Sequence, residues 1–386
     1  MTTIGAPHGV RTAMEDVVGE IRERIEEIER LRRIPADLHK TLRDAGMYRL
    51  LLPSSHGGLQ ASSDEVLDVI ETLAAVDGSV AWATSIGIQS PAVLSWLPRA
   101  TFERIYAEGS DITVGGAFGP QGQAEVVDGG YRVTGRWGFA SGCDNWDFLF
   151  ANCVVTQGGQ PRPGGPDGPP GQPATRAMLV PRADAEIIDT WHTLGMRGTG
   201  SNDFTLQDVF VPEEFTFGLG AEPCIPGITR YPLIEFGFEL ASIAIGVAQG
   251  ALNDVADSAA GRQRVMARTR IADDAVAQHR IGRAHTELRA ARALIRASAL
   301  SLRENPEQDF IGLMTEASAA NASVIDTCID VVGMCFRTYG ARGIYSDSSL
   351  QRRLRDIYTI AQHATLNDSA WTRQGVALFG GPGGPS

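Results

Sequence analysis

The sequence of 386 residues predicts a mainly α-helical protein with a β-domain in its middle. Three observations lead to this fold class. Apolar residues near the start recur every three to four positions, which is the spacing of an amphipathic helix. Short runs rich in β-branched and aromatic residues, separated by turns, occupy the middle third. Long alanine- and arginine-rich segments with helical periodicity follow.

Residues 1–110 are expected to form an N-terminal α-helical domain. The apolar face of the opening helix consists of Met14, Val17, Ile21, Ile25, Ile28 and Leu31. Pro35 is a favourable first residue for a second helix, which Gly46 ends. Helical patterns continue through residues 66–75 and 82–97.

Residues 111–220 are expected to form a central β-domain, as in a small β-barrel or sandwich. Its β-rich runs are Tyr131–Thr134, Phe148–Val155, Ala177–Val180 and Phe204–Val211. Residues 157–175 consist largely of glycine and proline without periodicity, so we expect a flexible hairpin tip there. Residues 221–386 return to helical periodicity and are expected to form a C-terminal helical domain.

Charge and composition argue against several partners. The formal net charge is −12 and no basic block is present, which argues against nucleic acid. No apolar run approaches the roughly 20 residues that a membrane-spanning helix needs, so we expect no membrane association. The five cysteines are scattered, which fits a reducing cytoplasm better than a disulfide framework.

Several catalytic signatures are missing from the sequence. Lys40 is the only lysine, so a phosphate-binding loop ending in Gly-Lys-Ser/Thr is excluded and Schiff-base chemistry would depend on this residue alone. The seven histidines lie far apart, so no metal site is predicted. Gly198 and Gly200 lack the third glycine and the following helix of a dinucleotide fingerprint, so no NAD(P)H domain is predicted.

Four phrases, in order along the chain, resemble the acyl-CoA dehydrogenase superfamily. They are LRDAGMYRLLLPSSHGG at 42–58, GGYRVTGRWGFASGCDNWDFLFA at 129–151, WHTLGMRGTGSNDFTLQDVFVPEE at 191–214 and YGARGIYSDSSLQRRLRD at 339–356. The resemblance covers nearly the whole chain and implies the acyl-CoA dehydrogenase-like fold, with N-terminal helices, a middle β-barrel and a C-terminal four-helix bundle. It also implies a bound flavin and a homotetramer assembled through the bundles.

The second phrase contains candidate flavin-binding residues. Trp137 lies beside Gly135 and Gly138, where backbone can approach closely while the indole offers a face to a flavin ring. The alternative for Trp137 is a place in the β-barrel core. Phe139 and Ser141 follow on the same side of the strand by its two-residue period. Ser141 could hydrogen-bond near the reactive edge of the ring, or simply cap the turn that follows.

The third phrase contains Arg197, Thr199 and Ser201 in a polar turn between apolar strands. We expect these residues to line a flavin or substrate cleft, although an ordinary loop explains the composition almost as well. Both interpretations stay open at this point.

Three arginines are candidates for contacts with the flavin phosphates. Arg262 and Arg268 precede Gln278 in a region that resembles the superfamily's phosphate contact. The choice between the two arginines stays open, as does the choice between FAD and FMN. Arg337 stands where superfamily members often carry a glutamine that touches the cofactor of a neighbouring subunit. Its guanidinium would favour a phosphate there, or lie in solvent.

The residues after Arg355–Asp356 separate two branches of the superfamily. Acyl-CoA dehydrogenases commonly carry Tyr-Glu-Gly-Thr there, and its glutamate removes the α-proton of the thioester. This chain has Gln362, His363 and Ala364 instead. An imidazole, whose charge changes near neutral pH, suits a phenol better than a thioester. Together with Trp-x-Phe-x-Ser-Gly at 137–142, this pattern resembles the two-component flavin-dependent monooxygenases of the para-hydroxyphenylacetate hydroxylase type.

This resemblance implies the oxygenase component of a two-component system. A separate NAD(P)H-flavin reductase would supply reduced flavin, FADH2 or FMNH2, which would form a C4a-hydroperoxyflavin with O2 and hydroxylate an aromatic or similar small molecule. Ser141 would stabilise the oxygenated flavin, and His363 would activate the substrate or orient the peroxide. The alternative for His363 is a helix histidine bonded only to a neighbour.

Two other functions are compatible with the sequence. A dehydrogenase or oxidase acting on a thioester would use a glutamate at the start of the first C-terminal helix, where Glu235 and Glu239 fall. A non-catalytic flavoprotein scaffold would show no flavin-dependent turnover. CoA binding and the effect of replacing either glutamate distinguish the first of these from an oxygenase.

Overall fold

The computed structural model describes residues 8–164, 171–263, 269–304, 310–366 and 368–381. Within these ranges helices come first, strands follow and helices return, which is the order that the sequence predicts. The first helical part ends at Tyr106, the strands lie between Val114 and Phe217, and the second helical part begins at Pro232.

The N-terminal helices pack around a buried apolar core. They are α1 (His8–Glu23), α2 (Ile25–Leu31), α3 (Ala36–Asp44), α4 (Ser63–Val76), α5 (Gly78–Ile88), α6 (Ser90–Leu94) and α7 (Arg99–Tyr106). Ser62 and Glu65 form a reciprocal capping box that starts α4. Asp77 ends α4 and caps α5, because its carboxylate accepts the backbone N–H of Val80 at 3.0 Å. These caps fix the direction of α5, which is buried along most of its length.

The β-domain is an eight-stranded sheet in the order β6-β7-β2-β1-β3-β5-β8, with β4 paired to β3. Its strands are β1 (Val114–Val127), β2 (Gly130–Trp137), β3 (Phe148–Gln157), β4 (Gln160–Pro161), β5 (Thr175–Pro181), β6 (Glu186–Ile188), β7 (Asp203–Pro212) and β8 (Thr216–Phe217). The pair β1–β3 is parallel and the other pairs are antiparallel. The predicted β-rich runs lie in β2, β3, β5 and β7.

The predicted hairpin tip at 157–175 is described in part. Residues 165–170 lie outside the described ranges, so the predicted flexibility stays a prediction. On either side, β4 pairs with the end of β3, and Pro163 forms a bridge with Pro173.

The C-terminal part is a helical bundle. Its helices are α8 (Pro232–Ala259), α9 (Ala275–Glu304), α10 (Phe310–Tyr339), α11 (Ser349–Ile360) and α12 (Ser369–Leu378). Helix α10 packs against α8, α9 and α11, and α4 packs along α8. By length and composition α8 and α10 could each cross a membrane, but 78% of the apolar window of α8 is buried inside the protein. A Cβ on Gly246 of α8 would lie 2.5 Å from Ala74, so only glycine allows α8 and α4 to approach this closely.

Candidate active site

A row of hydroxyl groups joins the end of β2 to the loop before β7. Ser141 Oγ lies 2.7 Å from Ser201 Oγ, which lies 2.7 Å from Thr199 Oγ1. Thr199 donates to the carbonyl of Met196 at 2.9 Å, and the indole N–H of Trp82 donates to Ser141 Oγ at 3.1 Å. Three residues that the sequence singled out are therefore in one hydrogen-bonded chain.

One donor order satisfies every hydrogen bond of this row. An indole only donates and a carbonyl only accepts, so Thr199 uses its single proton on the carbonyl of Met196. Ser201 must then donate to Thr199, and Ser141 must donate to Ser201. The second acceptor position of Ser141 is therefore free for a ligand, whereas its proton is not.

The loop that carries the row is held from two sides. The N–H of Gly142 donates to the carbonyl of Thr199 at 2.8 Å, and the N–H of Met196 donates to Asp356 of α11 at 2.6 Å. A Cβ on Gly195 would lie 2.4 Å from the backbone of α11, so loop and helix are in direct contact. The Arg-Asp phrase of α11 thus positions the hydroxyl row.

Three rings form an aromatic wall beside the row: Trp82, His363 and Phe236. The ring of His363 meets the ring of Trp82 edge-on at 5.4 Å and that of Phe236 at 6.4 Å. Since Trp82 also bonds Ser141, the structure brings His363 next to the hydroxyl row. The predicted pairing of Ser141 with His363 in one site is therefore geometrically consistent.

The protonation of His363 follows from its neighbours. Its Nδ1 lies 2.9 Å from Thr365 Oγ1 and accepts the backbone N–H of Thr365 at 3.4 Å, so the proton of the neutral ring lies on Nε2. Burial lowers the pKa of His363 below its usual range, which keeps the ring neutral at pH 7. His363 is thus bonded to a neighbour, as the alternative interpretation expected, and still presents an N–H donor.

Phe139 is an exposed aromatic residue in a strained conformation. Its side chain is 76% exposed and its φ is +61°, a left-handed conformation that costs about 1–2 kcal/mol for a residue with a Cβ. Its only ring neighbour in the described chain is Trp191, edge-on at 6.1 Å. Strained, exposed aromatics are typical of ligand contacts, so Phe139 stays a candidate for the flavin.

Trp137 does not offer a face to a ligand, which corrects the expectation from the sequence. It has no exposed surface and stacks on Phe204 of β7 at 5.2 Å, with its N–H bonded to the carbonyl of Asn152 at 2.7 Å. A Cβ on Gly122 would lie 2.1 Å from the ring, so glycine there leaves room for the indole. Trp137 is part of the β-domain core, the alternative that the sequence left open.

Arg197 precedes the hydroxyl row and is partly exposed. Its guanidinium donates from Nε to the carbonyl of Thr193 at 3.0 Å, which holds it beside its own loop. Among the described residues, the other N–H groups of the Arg197 guanidinium have no hydrogen-bond partner and are free to meet an anion, so its role as a ligand stays a prediction.

The other predicted arginines lie at the opposite end of the bundle. Arg262 sits over the ring of Tyr339 at 4.1 Å, and its buried Nη1 has no hydrogen-bond partner among the described residues. Arg337 is exposed near the end of α10. The loop of the hydroxyl row meets α8 near Val247, since a Cβ on Gly78 would lie 3.0 Å from Val247 and 3.3 Å from Met196. From Val247 to the end of α8 is about 18 Å of helix, so both arginines are remote from the hydroxyl row of their own chain. Arg268 lies outside the described residues.

Glu239, which the sequence offered as a possible base of a thioester dehydrogenase, is a buried carboxyl. It is 2% exposed on α8 and accepts hydrogen bonds from Ser85 Oγ, at 2.6 Å, and from Gln89 Nε2. Burial raises the pKa of Glu239 to about 8, so the group is protonated at pH 7. A carboxyl that is protonated and held by two hydrogen bonds is not available as the base that a thioester dehydrogenase needs. Among the described residues, no group of three or more His, Cys, Asp or Glu is placed to hold a metal.

Comparison with known proteins identifies the family. Residues 9–97 match the N-terminal domain of acyl-CoA dehydrogenase and residues 239–368 match its C-terminal domain. The chain belongs to the acyl-CoA dehydrogenase superfamily, and the predicted fold is confirmed.

Several similar proteins within the superfamily are named as monooxygenases or hydroxylases. Indole-3-acetate monooxygenase of Pseudomonas putida is 33% identical, over 93% of this chain and 90% of that protein. The oxygenase component of the FADH2-dependent resorcinol hydroxylase of Rhizobium sp. is 29% identical, over 93% and 91%. The crystal structure of the 3-HSA hydroxylase from Rhodococcus sp. RHA1 superposes with a TM-score of 0.84 at 27% identity, covering 97% of this chain and 98% of that chain.

Proposed function

We propose that this protein is the oxygenase component of a two-component monooxygenase, which uses reduced flavin and O2 to hydroxylate an aromatic small molecule. The direction of the hydroxyl row carries the proposal. Ser141 can accept a hydrogen bond but has no free proton. Reduced flavin has an N–H at N5, whereas oxidised flavin has a bare nitrogen there. The row therefore fits the reduced form, and the names of the relatives support this cofactor and the aromatic substrate.

The residues of the site fit a flavin as the bound group. Phe139 offers an exposed ring for the isoalloxazine, and Ser141 offers an acceptor at its polar edge. Bound reduced flavin supplies the two electrons with which O2 is activated. FAD and FMN both carry this ring, so either fits these two residues.

His363 has the geometry to bind and orient the substrate. Its Nε2–H donor lies in an aromatic wall whose other rings, Trp82 and Phe236, suit a planar molecule. A neutral imidazole donates to the oxygen of a phenol and accepts no proton through this nitrogen. His363 thus orients the oxygen-bearing ring and stabilises negative charge that develops on it.

We infer a homotetramer in which one chain completes the flavin site of another. Arg262 and Arg337 lie at the end of the bundle, about 18 Å of helix beyond Val247, where the loop of the hydroxyl row meets α8, so they suit the phosphates of a neighbouring chain's flavin. The bundle also exposes large apolar side chains that further copies would cover: Phe310, Ile311, Ile344, Tyr345 and Tyr358. We further propose a separate NAD(P)H-flavin reductase as partner and a cytoplasmic location.

Rapid mixing of the protein with reduced FAD or FMN and then with O2 tests the proposal. We expect a transient flavin absorbance band that precedes the oxidised spectrum and that decays faster in Ser141→Ala. Thr41→Ala is the matched control, because its hydroxyl donates to the carbonyl of Asp37 within α3, away from the residues of the proposed flavin site. Reoxidation with the rate and spectrum of free flavin would overturn the assignment.

A further inference from the structure

Two carboxyl groups of α8, Glu235 and Glu239, lie one helical turn apart at the inner side of the active site. Glu239 is buried and hydrogen-bonded to Ser85 of α5 and to Gln89, which follows α5, whereas the side chain of Glu235 is only partly buried. The proposed function has no use for either group. A buried pair of carboxyls costs stability unless it is neutral or hydrogen-bonded, so its presence calls for a physical reason.

On the inner side the pair adjoins the aromatic wall. Trp82, Ser85 and Gln89 are spaced by three and four residues and share one face of α5. Phe236 and Glu239 are three residues apart and share a face of α8. Along α8, Glu239 is about 5 Å, one helical turn, from Phe236, and its partner Ser85 is one turn along α5 from Trp82, so Glu239 lies at the level of the rings that meet His363.

On the outer side the pair lines a small cavity. The cavity of about 10 Å³ is bounded by Glu235, Glu239, Ser63, Leu51, Leu67, Val66, Phe238 and Ala299. This volume is at the lower limit for one water molecule. Ser63, at the start of α4, is partly exposed to solvent. The cavity therefore joins Glu239 and Glu235 to a side chain at the surface.

Buried polar atoms around Glu239 have spare hydrogen-bonding capacity. The amide oxygen of Gln89, whose nitrogen bonds Glu239, has no partner in the part of the chain that the structure describes. The hydroxyl of Ser242, one turn further along α8, is also buried and has no partner there. Native proteins pair such atoms with protein or water, so these two atoms mark places for water molecules.

The charges around the pair set its protonation. Burial is the main cause that raises the pKa of Glu235 to about 7 and that of Glu239 to about 8. The charge of Glu235 adds to the rise at Glu239, and Arg303 of α9 opposes the rise at Glu235. The contacts on the other elements, Ser63 of α4 and Ser85 and Gln89 of α5, are uncharged. Both carboxyls therefore exchange protons near neutral pH.

We propose that Glu235 and Glu239 form a proton relay from the surface at Ser63 to the active site. The relay rests on the proposed function, whose overall reaction consumes a proton when flavin enters as its reduced anion: reduced flavin anion, O2, substrate R–H and one H⁺ give oxidised flavin, R–OH and water. The two electrons come from the flavin, one oxygen atom enters the new C–O bond, and the other leaves as water. The proton comes from solvent through the pair.

The first test needs no flavin. Infrared spectroscopy of the full chain at pH 6 should show the C=O stretch of protonated carboxylic acids, shifted in D2O and weakened in both Glu235→Gln and Glu239→Gln. Glu287→Gln, at a partly exposed residue of α9 paired with Arg283, should leave it unchanged. Persistence of the full band in both glutamine variants would refute the relay, because the pair would then hold no proton. If a glutamine variant does not fold, Glu235→Asp and Glu239→Asp decide the same point, because each should shift its part of the band while the contribution of Asp356, whose pKa burial raises to about 7, stays in place.

The second test follows turnover. With reduced flavin and substrate, Glu239→Gln should slow the proton-dependent phase by about 10²-fold and enlarge its solvent deuterium isotope effect. Glu235→Gln should act in the same direction and Glu287→Gln should not. Folded, flavin-binding variants with wild-type rates and isotope effects would refute the relay while leaving the oxygenase intact. A wild type that never hydroxylates would refute the proposed function instead, and the infrared result would still decide whether the pair holds protons.

Discussion

Replacing Ser201 by alanine should raise the affinity of the site for oxidised flavin. In the wild type, Ser141 donates its proton to Ser201 across 2.7 Å, because Ser201 must donate onward to Thr199. Without the Ser201 hydroxyl, the proton of Ser141 is free to reach the bare N5 of oxidised flavin. The variant should thus lose much of its preference for the reduced form.

The magnitude follows from one neutral hydrogen bond. Such a bond contributes about 0.5–1.5 kcal/mol, and about 1.4 kcal/mol corresponds to a factor of ten in affinity. We therefore expect Ser201→Ala to lower the Kd for oxidised flavin roughly two- to tenfold, with a smaller change for reduced flavin. Ser141→Ala removes the acceptor itself and should weaken reduced flavin by a similar factor. Thr41→Ala should change neither.

Fluorescence titration with oxidised FAD and FMN, and anaerobic titration with the reduced forms, measure the four constants for each variant. The fixed direction of the hydroxyl row is wrong if Ser201→Ala changes both redox forms equally. It is also wrong if Ser141→Ala leaves reduced flavin bound as tightly as before.

Three further substitutions test other contacts. His363→Phe keeps a ring beside Trp82 but removes the N–H donor, so hydroxylated product per flavin oxidised should fall about tenfold, with H2O2 formed instead; unchanged coupling would contradict the donor role. Asp356→Ala leaves the N–H of Met196 without an acceptor and should cost about 1–3 kcal/mol in urea unfolding, against a smaller loss in Asp356→Asn; equal losses would contradict this. The pKa of Glu239 rises from 4.5 to about 8 on folding, so its contribution to stability is full below pH 4.5 and lost by about pH 8. Glu239→Gln should remove a slope of roughly 1 kcal/mol per pH unit from unfolding curves in this window, and an unchanged slope would contradict the raised pKa.

The order of helices and strands could be predicted because it depends on local periodicity. The phrases around Ser141, Ser201 and His363 could also be found in the sequence, since each is a polar residue in a distinctive local pattern. Their meeting in one site could not be derived from spacing. Ser201 and His363 are 162 positions apart, and they are connected through Trp82 of a third element, α5.

Trp82 shows why the rest of the site was missed. It lies in an apolar helical run, where a tryptophan usually belongs to the core, and only the fold brings its N–H to Ser141. Trp137 was expected at the cofactor for the opposite reason: neighbouring glycines suggested an open approach, whereas Gly122, across the sheet, makes room for the indole itself. A glutamate in an apolar stretch pointed to a special role for Glu239. Its partners Ser85 and Gln89 lie 154 and 150 positions away, so the sequence could not show that they bind it.

A single turnover under ¹⁸O2 tests the central claim most directly. The protein is mixed with one equivalent of chemically reduced flavin, a panel of phenols and indoles, and labelled oxygen. The mass of the product is then measured by mass spectrometry. The account predicts a hydroxylated product that carries one ¹⁸O atom and forms without any reductase present. Return of all the labelled oxygen as hydrogen peroxide, with every aromatic compound unchanged, would contradict it.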